Sequence, residues 1–129
     1  MIVTKDIEQI LVGDLAAFMG VERIFVTDDI PEGDVTEERI TVHVKELKPE
    51  TYFSKCFVEV NWCVPDIVNK PNAVRLQEVE RQLVGSLESI GEYDGSTYRY
   101  EIASHKTLKS DLHCHYVNIR LLFEILNVK

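Results

Sequence analysis

Apolar residues along this chain change their spacing several times, and each change marks an element. From Thr4 to Met19, the residues Ile7, Ile10, Leu11, Leu15, Phe18 and Met19 recur at spacings of three, four and seven. That is the stripe of a helix laid on a core, with Thr4 available as its N-cap and Gly20 placed to end it. The short apolar segment Arg23 to Thr27 reads as a first strand. Arg39 to Leu47 then alternates Ile40, Val42 and Val44 against Thr41, His43 and Lys45, the period-two signature of a half-buried strand. In Lys55 to Val64 the same period sets Val58, Val60, Trp62 and Val64 on one face. Lys55, Glu59 and Asn61 fall on the other, with Phe57 and Cys63. Lys48 to Ser54, which contains Pro49, links these two strands and makes them an antiparallel pair.

The Val64-Pro65-Asp66 turn and the Asn69-Lys70-Pro71-Asn72 cluster break the central strand and offer two possible N-caps for a second helix. From Asn72 to Ile90, Val74, Leu76, Val79, Leu83, Leu87 and Ile90 form a stripe to be buried. Arg75, Glu78, Arg81, Gln82 and Glu88 form the wet face, and Gly91 ends the helix. Gly85 in its interior costs about 1 kcal/mol relative to Ala. Asp94-Gly95 signals a turn, after which Thr97 to His105 places Tyr98, Tyr100 and Ile102 opposite Arg99 and Glu101. Lys106 to Asp111 reads as a polar loop. His113 to Leu126 alternates Val117, Ile119, Leu121, Phe123 and Ile125 against Tyr116, Asn118, Arg120 and Glu124, with Leu122 and Leu126 interrupting the polar face. Strands usually run about 3–10 residues, so this segment either projects past the core, pairs with another chain, or is a shorter bulged strand frayed near His113. The fold class expected is α+β: a mostly antiparallel sheet of four to five strands with two helices packed on it, in the order α-β-β-β-α-β-β. Residues 1–129 form a single domain.

Composition supports a folded chain, since 45% of residues are hydrophobic and 28% charged. The N-terminus lacks the apolar core of a secretory signal, and no apolar run approaches the roughly 18 residues of a membrane span, so a cytosolic protein without membrane contact is expected. Cys56, Cys63 and Cys114 form no CxxC pair and are odd in number, which points to reduced thiols. A net charge of −8 disfavours tight nucleic-acid binding, which depends on Lys and Arg displacing counterions. Asp28 to Glu38 holds six acidic residues in eleven, with Pro31 and Gly33. It is a loop, read as a solvated connector or as a partner contact.

Candidate chemistry is sparse. On a strand, His113 and His115 project to one face and would offer two nitrogen ligands to a zinc-type ion, but no further ligand accompanies them. The competing reading is a pair of strand-end histidines at a polar boundary. Cys114 lies between these histidines, yet strand neighbours point to opposite faces, so a base for a thiol nucleophile must come from His43 or His105. Cys56 and Cys63, an odd number apart, point to opposite sides of their strand and read as small buried hydrophobes. The six glycines form neither G-x-x-x-x-G-K nor G-x-G-x-x-G, and Glu59 and Asp66 are not part of any sequence cluster of carboxylates. No catalytic residue, no cofactor and no metal site is expected.

The arrangement, from the Ile7-to-Met19 helix through Phe57-Val58-Glu59-Val60-Asn61-Trp62-Cys63-Val64-Pro65-Asp66 to Tyr116-Val117-Asn118-Ile119-Arg120-Leu121, resembles the small tail-terminator (tail-completion) proteins of tailed phages and prophages. The resemblance implies a non-enzymatic protomer of a homo-oligomeric, six-fold ring that ends the tail tube and meets the head-side connector. It implies partners among tail tube and head-tail connector proteins, and a place in the virion tail after assembly in the host cytoplasm. Asp28 to Glu38 and Lys48 to Ser54 are then the expected contact loops. The alternatives from other classes are a small cytosolic enzyme or metal-binding protein using His113 and His115, and a monomeric binding module.

Overall fold

The amphipathic stripe at the N-terminus folds as α1 (Thr4–Met19), the first element of a computed structural model that describes residues 2–19, 23–90 and 98–126. Ile7, Leu11 and Leu15 are fully buried beneath it. Its first turn is closed by Asp6, whose Oδ2 accepts the Val3 N–H at 2.9 Å, and not by Thr4, which lies inside the helix. β1 (Ile24–Val26) is followed by a 3₁₀ turn over Thr27–Asp29, then by β2 (Arg39–Val44), a two-residue β3 (Lys48–Pro49) and β4 (Phe53–Pro65). α2 (Ala73–Ile90), β5 (Tyr98–Ser110) and β6 (Cys114–Leu126) complete the chain. Of the two candidate caps for α2, Asn72 serves: its Oδ1 accepts the Arg75 N–H at 3.3 Å.

The sheet runs β1-β2-β4-β6-β5, with β3 paired to β4 beside this path. It is an α+β fold, but the sheet has six strands and is mixed, because β1 pairs with β2 in parallel. Two expectations about strands need correcting. The segment Lys48 to Ser54 contains β3, a strand too short for any periodicity to show. Lys106 to Asp111, expected as a loop, continues β5 as far as Ser110. That extension has no apolar alternation because it is held by backbone pairing with β6, from Lys106↔Asn118 to Ser110↔Cys114, and needs no buried face. A register shift between Ile102 and Ser104 separates the two halves of β5.

Both helices lie on one side of the sheet, α1 over β1 and β2, α2 over β4, β6 and β5. The core between the layers is the alternating set the sequence predicts: Ile40 and Val42 from β2, Val58, Val60, Trp62 and Val64 from β4, and Val117, Ile119, Leu121, Phe123 and Ile125 from β6. Trp62 is 1% exposed. Leu76, Val79, Leu83 and Leu87 close the core from α2, whereas Val74, expected in the same stripe, is 70% exposed in the first turn. Gly85 has open space where a Cβ would stand, so no close backbone approach requires it. The expected turn at Asp94-Gly95 and the terminating Gly20 and Gly91 lie outside the described residues.

Candidate functional site: the uncovered sheet face

Among the described residues, the second face of the sheet carries no helix. β2 contributes Arg39, Thr41 and His43 to it, β4 contributes Lys55, Phe57, Glu59, Asn61 and Cys63, and β6 contributes Tyr116, Asn118, Arg120, Leu122 and Glu124. Apart from Phe57, Cys63 and Leu122 these are the polar positions of the alternating strands, so the pattern that builds the core also determines what this face displays.

At the end formed by Pro65 and Cys114, the acidic loop folds back over the sheet. Val35, an apolar residue inside the acidic run, is 5% exposed and packs on Cys63 and Cys114 with Leu112 and Tyr116 around it. The Val35 N–H donates to the Leu112 carbonyl at 2.9 Å, and Arg39 Nη1 donates to the Pro31 carbonyl at 3.3 Å. Gly33 at the loop tip has φ +92°, a conformation that side chains rarely adopt. The loop is thus pinned at several points, while Glu32 and Asp34 at its tip remain exposed. Beneath it the Cys63 and Cys114 thiols are packed in one cluster. The interaction between them holds the pKa of Cys114 down to about 7 and, together with burial, pushes Cys63 up. The Arg39 guanidinium, itself 5% exposed, faces both thiols, and its Nε has no hydrogen-bond partner.

The centre of the face is a polar seam. Asn118 Nδ2 donates to Asn61 Oδ1 at 2.7 Å across β6 and β4. His43 lies between Thr27 Oγ1 at 3.2 Å and Thr41 Oγ1 at 3.0 Å, and burial lowers its pKa. At the far end, Lys45, Glu46, Lys48, Glu50, Lys55, Cys56, Phe57, Arg120 and Leu122 line a groove of about 480 Å³. Its floor is the Arg120 guanidinium stacked 3.9 Å over the Phe57 ring. Lys45 pairs with Glu59 at 3.4 Å and Lys55 with Glu50 at 3.4 Å. Among the described residues, Lys48 and Arg120 have no carboxylate partner within ion-pair distance.

The histidines considered for chemistry are dispersed. His113 does not share a strand face with His115: it sits in the turn before β6 with φ 56° and lies 3.8 Å from Asp34. His115 Nδ1 is hydrogen-bonded to Asp66 Oδ1 at 2.7 Å. The H-x-H reading required both to be extended, and the left-handed backbone at His113 breaks it. His105, offered as a base for Cys114, instead bonds Glu80 of α2 at 2.6 Å, and His43 is held by its two threonines. Cys56 belongs to the helix-side core and its thiol donates to the Lys45 carbonyl at 3.1 Å, so Cys56 and Cys63 do point to opposite sides of β4. No group of three or more His, Cys, Asp or Glu suited to holding a metal occurs among the described residues. No helix among them is long and apolar enough to cross a membrane.

Fold and face together define an α+β domain with a one-sided sheet, whose free face carries a pinned acidic loop at one end and a basic groove at the other. No protein-family model matches the chain, and no curated protein matches it. Fourteen solved chains do match. One of them, whose name states no activity, is 13% identical, with a TM-score of 0.59 over 95% of this chain and 92% of its own. At that identity the likeness concerns the fold.

Proposed function

We propose that this chain is a non-enzymatic structural protomer of a phage or prophage tail, one copy of a six-fold ring that ends the tail tube and meets the head-side connector. The observation that carries this reading is the β5–β6 hairpin. Each of its strands is 13 residues long, beyond the usual range of about 3–10. In the half after the bulge, residues 103–107 and Lys109 are exposed and Leu108 is half-buried. β5 is the sheet's edge, so its outer backbone groups are available to another chain. This second half of β5 adds little to the core, and an edge segment of that kind is suited to the heterologous contacts that close a ring. The helix-free face and the separation of its histidines also favour a surface that binds over a pocket that reacts.

Light scattering across a concentration series, followed by negative-stain electron microscopy, tests the reading. A six-fold ring is the expected species, alone or on tubes of tail tube protein. A chain that stays monomeric at high concentration and also fails to cap such tubes refutes it.

A further inference from the structure

The charges on the uncovered face are separated along the strands. Residues 28–38 contain six carboxylates and no Lys or Arg. Three of these carboxylates are engaged within the chain by cations, Asp28 by Lys5, Glu37 by Arg23 and Glu38 by Arg75. Glu32 and Asp34 at the tip are exposed, and among the described residues their one ion-pair contact is that of Asp34 to His113 at 3.8 Å. The groove at the other end brings Lys45, Lys48, Lys55 and Arg120 together against Glu46 and Glu50, with Glu59 paired to Lys45 at its edge. In a chain of net charge −8 this is a local excess of positive charge.

The tip is held away from the groove of its own chain. Val35 is fixed over Cys63, whereas the groove on the same strand lies at Lys55 to Phe57. Six to eight residues of extended chain separate the two, about 20–26 Å at the usual strand rise, and Asp34 is held 3.8 Å from His113 at the opposite end. A mobile acidic loop would be a poor ligand because ordering it opposes binding. This one is already held by Val35 on the thiols, by the Val35-to-Leu112 hydrogen bond and by Arg39 on the Pro31 carbonyl.

We propose that the groove beside Lys48 and Arg120 is the docking site for the Glu32-Gly33-Asp34 tip of a second copy of this chain, giving a head-to-tail contact between opposite ends of the uncovered face. The occupant follows from charge complementarity. A carboxylate-bearing turn enters a groove whose Lys48 and Arg120 lack an ion-pair partner among the described residues, and the apolar Phe57 and Leu122 beneath shield the contact from water. Joining different surfaces of identical chains makes the contact heterologous, so it propagates and closes when the rotation per copy permits. The inference rests on the ring reading in requiring a second copy, and it adds which two surfaces meet.

Paired charge reversals provide the test. Lys48→Glu with Lys55→Glu makes both ends acidic, and Glu32→Lys with Asp34→Lys makes both ends basic. All four residues belong to the groove or the exposed tip, and circular dichroism and thermal melting check that each variant is folded. Each double variant alone is expected to associate about tenfold or more weakly than the wild type by light scattering, and a one-to-one mixture is expected to regain association. Zero-length carbodiimide crosslinking of the wild type is expected to join Glu32 or Asp34 of one copy to Lys48, Lys45 or Lys55 of another, as read by mass spectrometry of mixed isotopically labelled chains.

Reversals that leave association unchanged, a mixture that regains nothing, or crosslinks found only within one chain each overturn the docking contact. A wild-type chain that is monomeric at every concentration in solution does so too. A ring that survives both reversals removes this contact and leaves the tail reading intact, whereas failure of that reading is a wild-type chain that forms no ring on tubes either.

Discussion

The Glu38 carboxylate and the Arg75 guanidinium meet along two parallel hydrogen bonds, Nε to Oε2 at 2.8 Å and Nη2 to Oε1 at 2.9 Å. The contact ties the end of the acidic loop to the first turn of α2. Trp62 Nε1 also donates to Glu38 Oε1 at 3.0 Å, and the guanidinium lies 5.7 Å from the Trp62 ring centroid, so loop, helix and sheet converge on one carboxylate. Arg75 holds the pKa of Glu38 below its ordinary value of 4.5.

Replacing Glu38 with Gln should therefore lower stability by about 1 kcal/mol, a modest figure because both partners are about a third exposed. The pH dependence has a definite sign. A carboxylate whose folded pKa is depressed adds stability above its unfolded pKa and loses that contribution as pH falls through the folded value. Urea midpoints measured from pH 7 downward should fall more steeply below about pH 4.5 in the wild type than in Glu38→Gln.

Trp62 is the largest side chain fully buried between the layers. Trp62→Ala should cost about 3–5 kcal/mol from lost burial and the cavity left behind, and a polar replacement should prevent folding. Chemical denaturation of the Ala variant checks the magnitude. A loss below about 1 kcal/mol would mean that the core is not organised around this residue.

Tyr100 Oη donates to Asp14 Oδ2 at 2.8 Å, a link between β5 and α1 across 86 residues of sequence. Burial and this bond to a carboxylate both push the phenol's pKa up. Tyr100→Phe keeps the ring stacked 5.4 Å from Phe123 and removes only the hydrogen bond. The expected loss is about 1–2 kcal/mol, read as a lower melting temperature with the same denaturant slope.

Cys114 should be slow to alkylate in the native protein because Val35 covers it. Val35→Ala should speed its reaction with iodoacetamide several-fold, and the rate should rise through about pH 7 as the thiolate forms. Cys63, pushed the other way by its interaction with Cys114 and by burial, should lag behind. Peptide mapping by mass spectrometry separates the two. Equal rates at Cys63 and Cys114 would contradict the asymmetry between the thiols.

Periodicity alone specified the two helices, the inward faces of β2, β4 and β6, and the position of Trp62 in the core. Burial repeats with the geometry of the backbone, and that repeat is written directly in the order of residues. It did not reveal the polar half of β5 or the two-residue β3, because backbone pairing with a neighbouring strand leaves no mark on side-chain order. The acidic run read as a loop, but the seat of Val35 on Cys63 and Cys114 is a contact between distant segments that spacing does not show. Nor could spacing show that His113 takes a left-handed conformation and parts from His115. The basic groove joins Lys45, Lys48 and Lys55, neighbours in sequence, to the distant Arg120. Pairing of β3 with β4 sets Lys48 beside Lys55, and only the antiparallel register of β4 and β6, which sets Phe57 beside Leu122 and Glu59 beside Arg120, brings Arg120 to them. Local order in the chain determines which face of each element is wet, while the charges that meet across that face depend on which strands become neighbours.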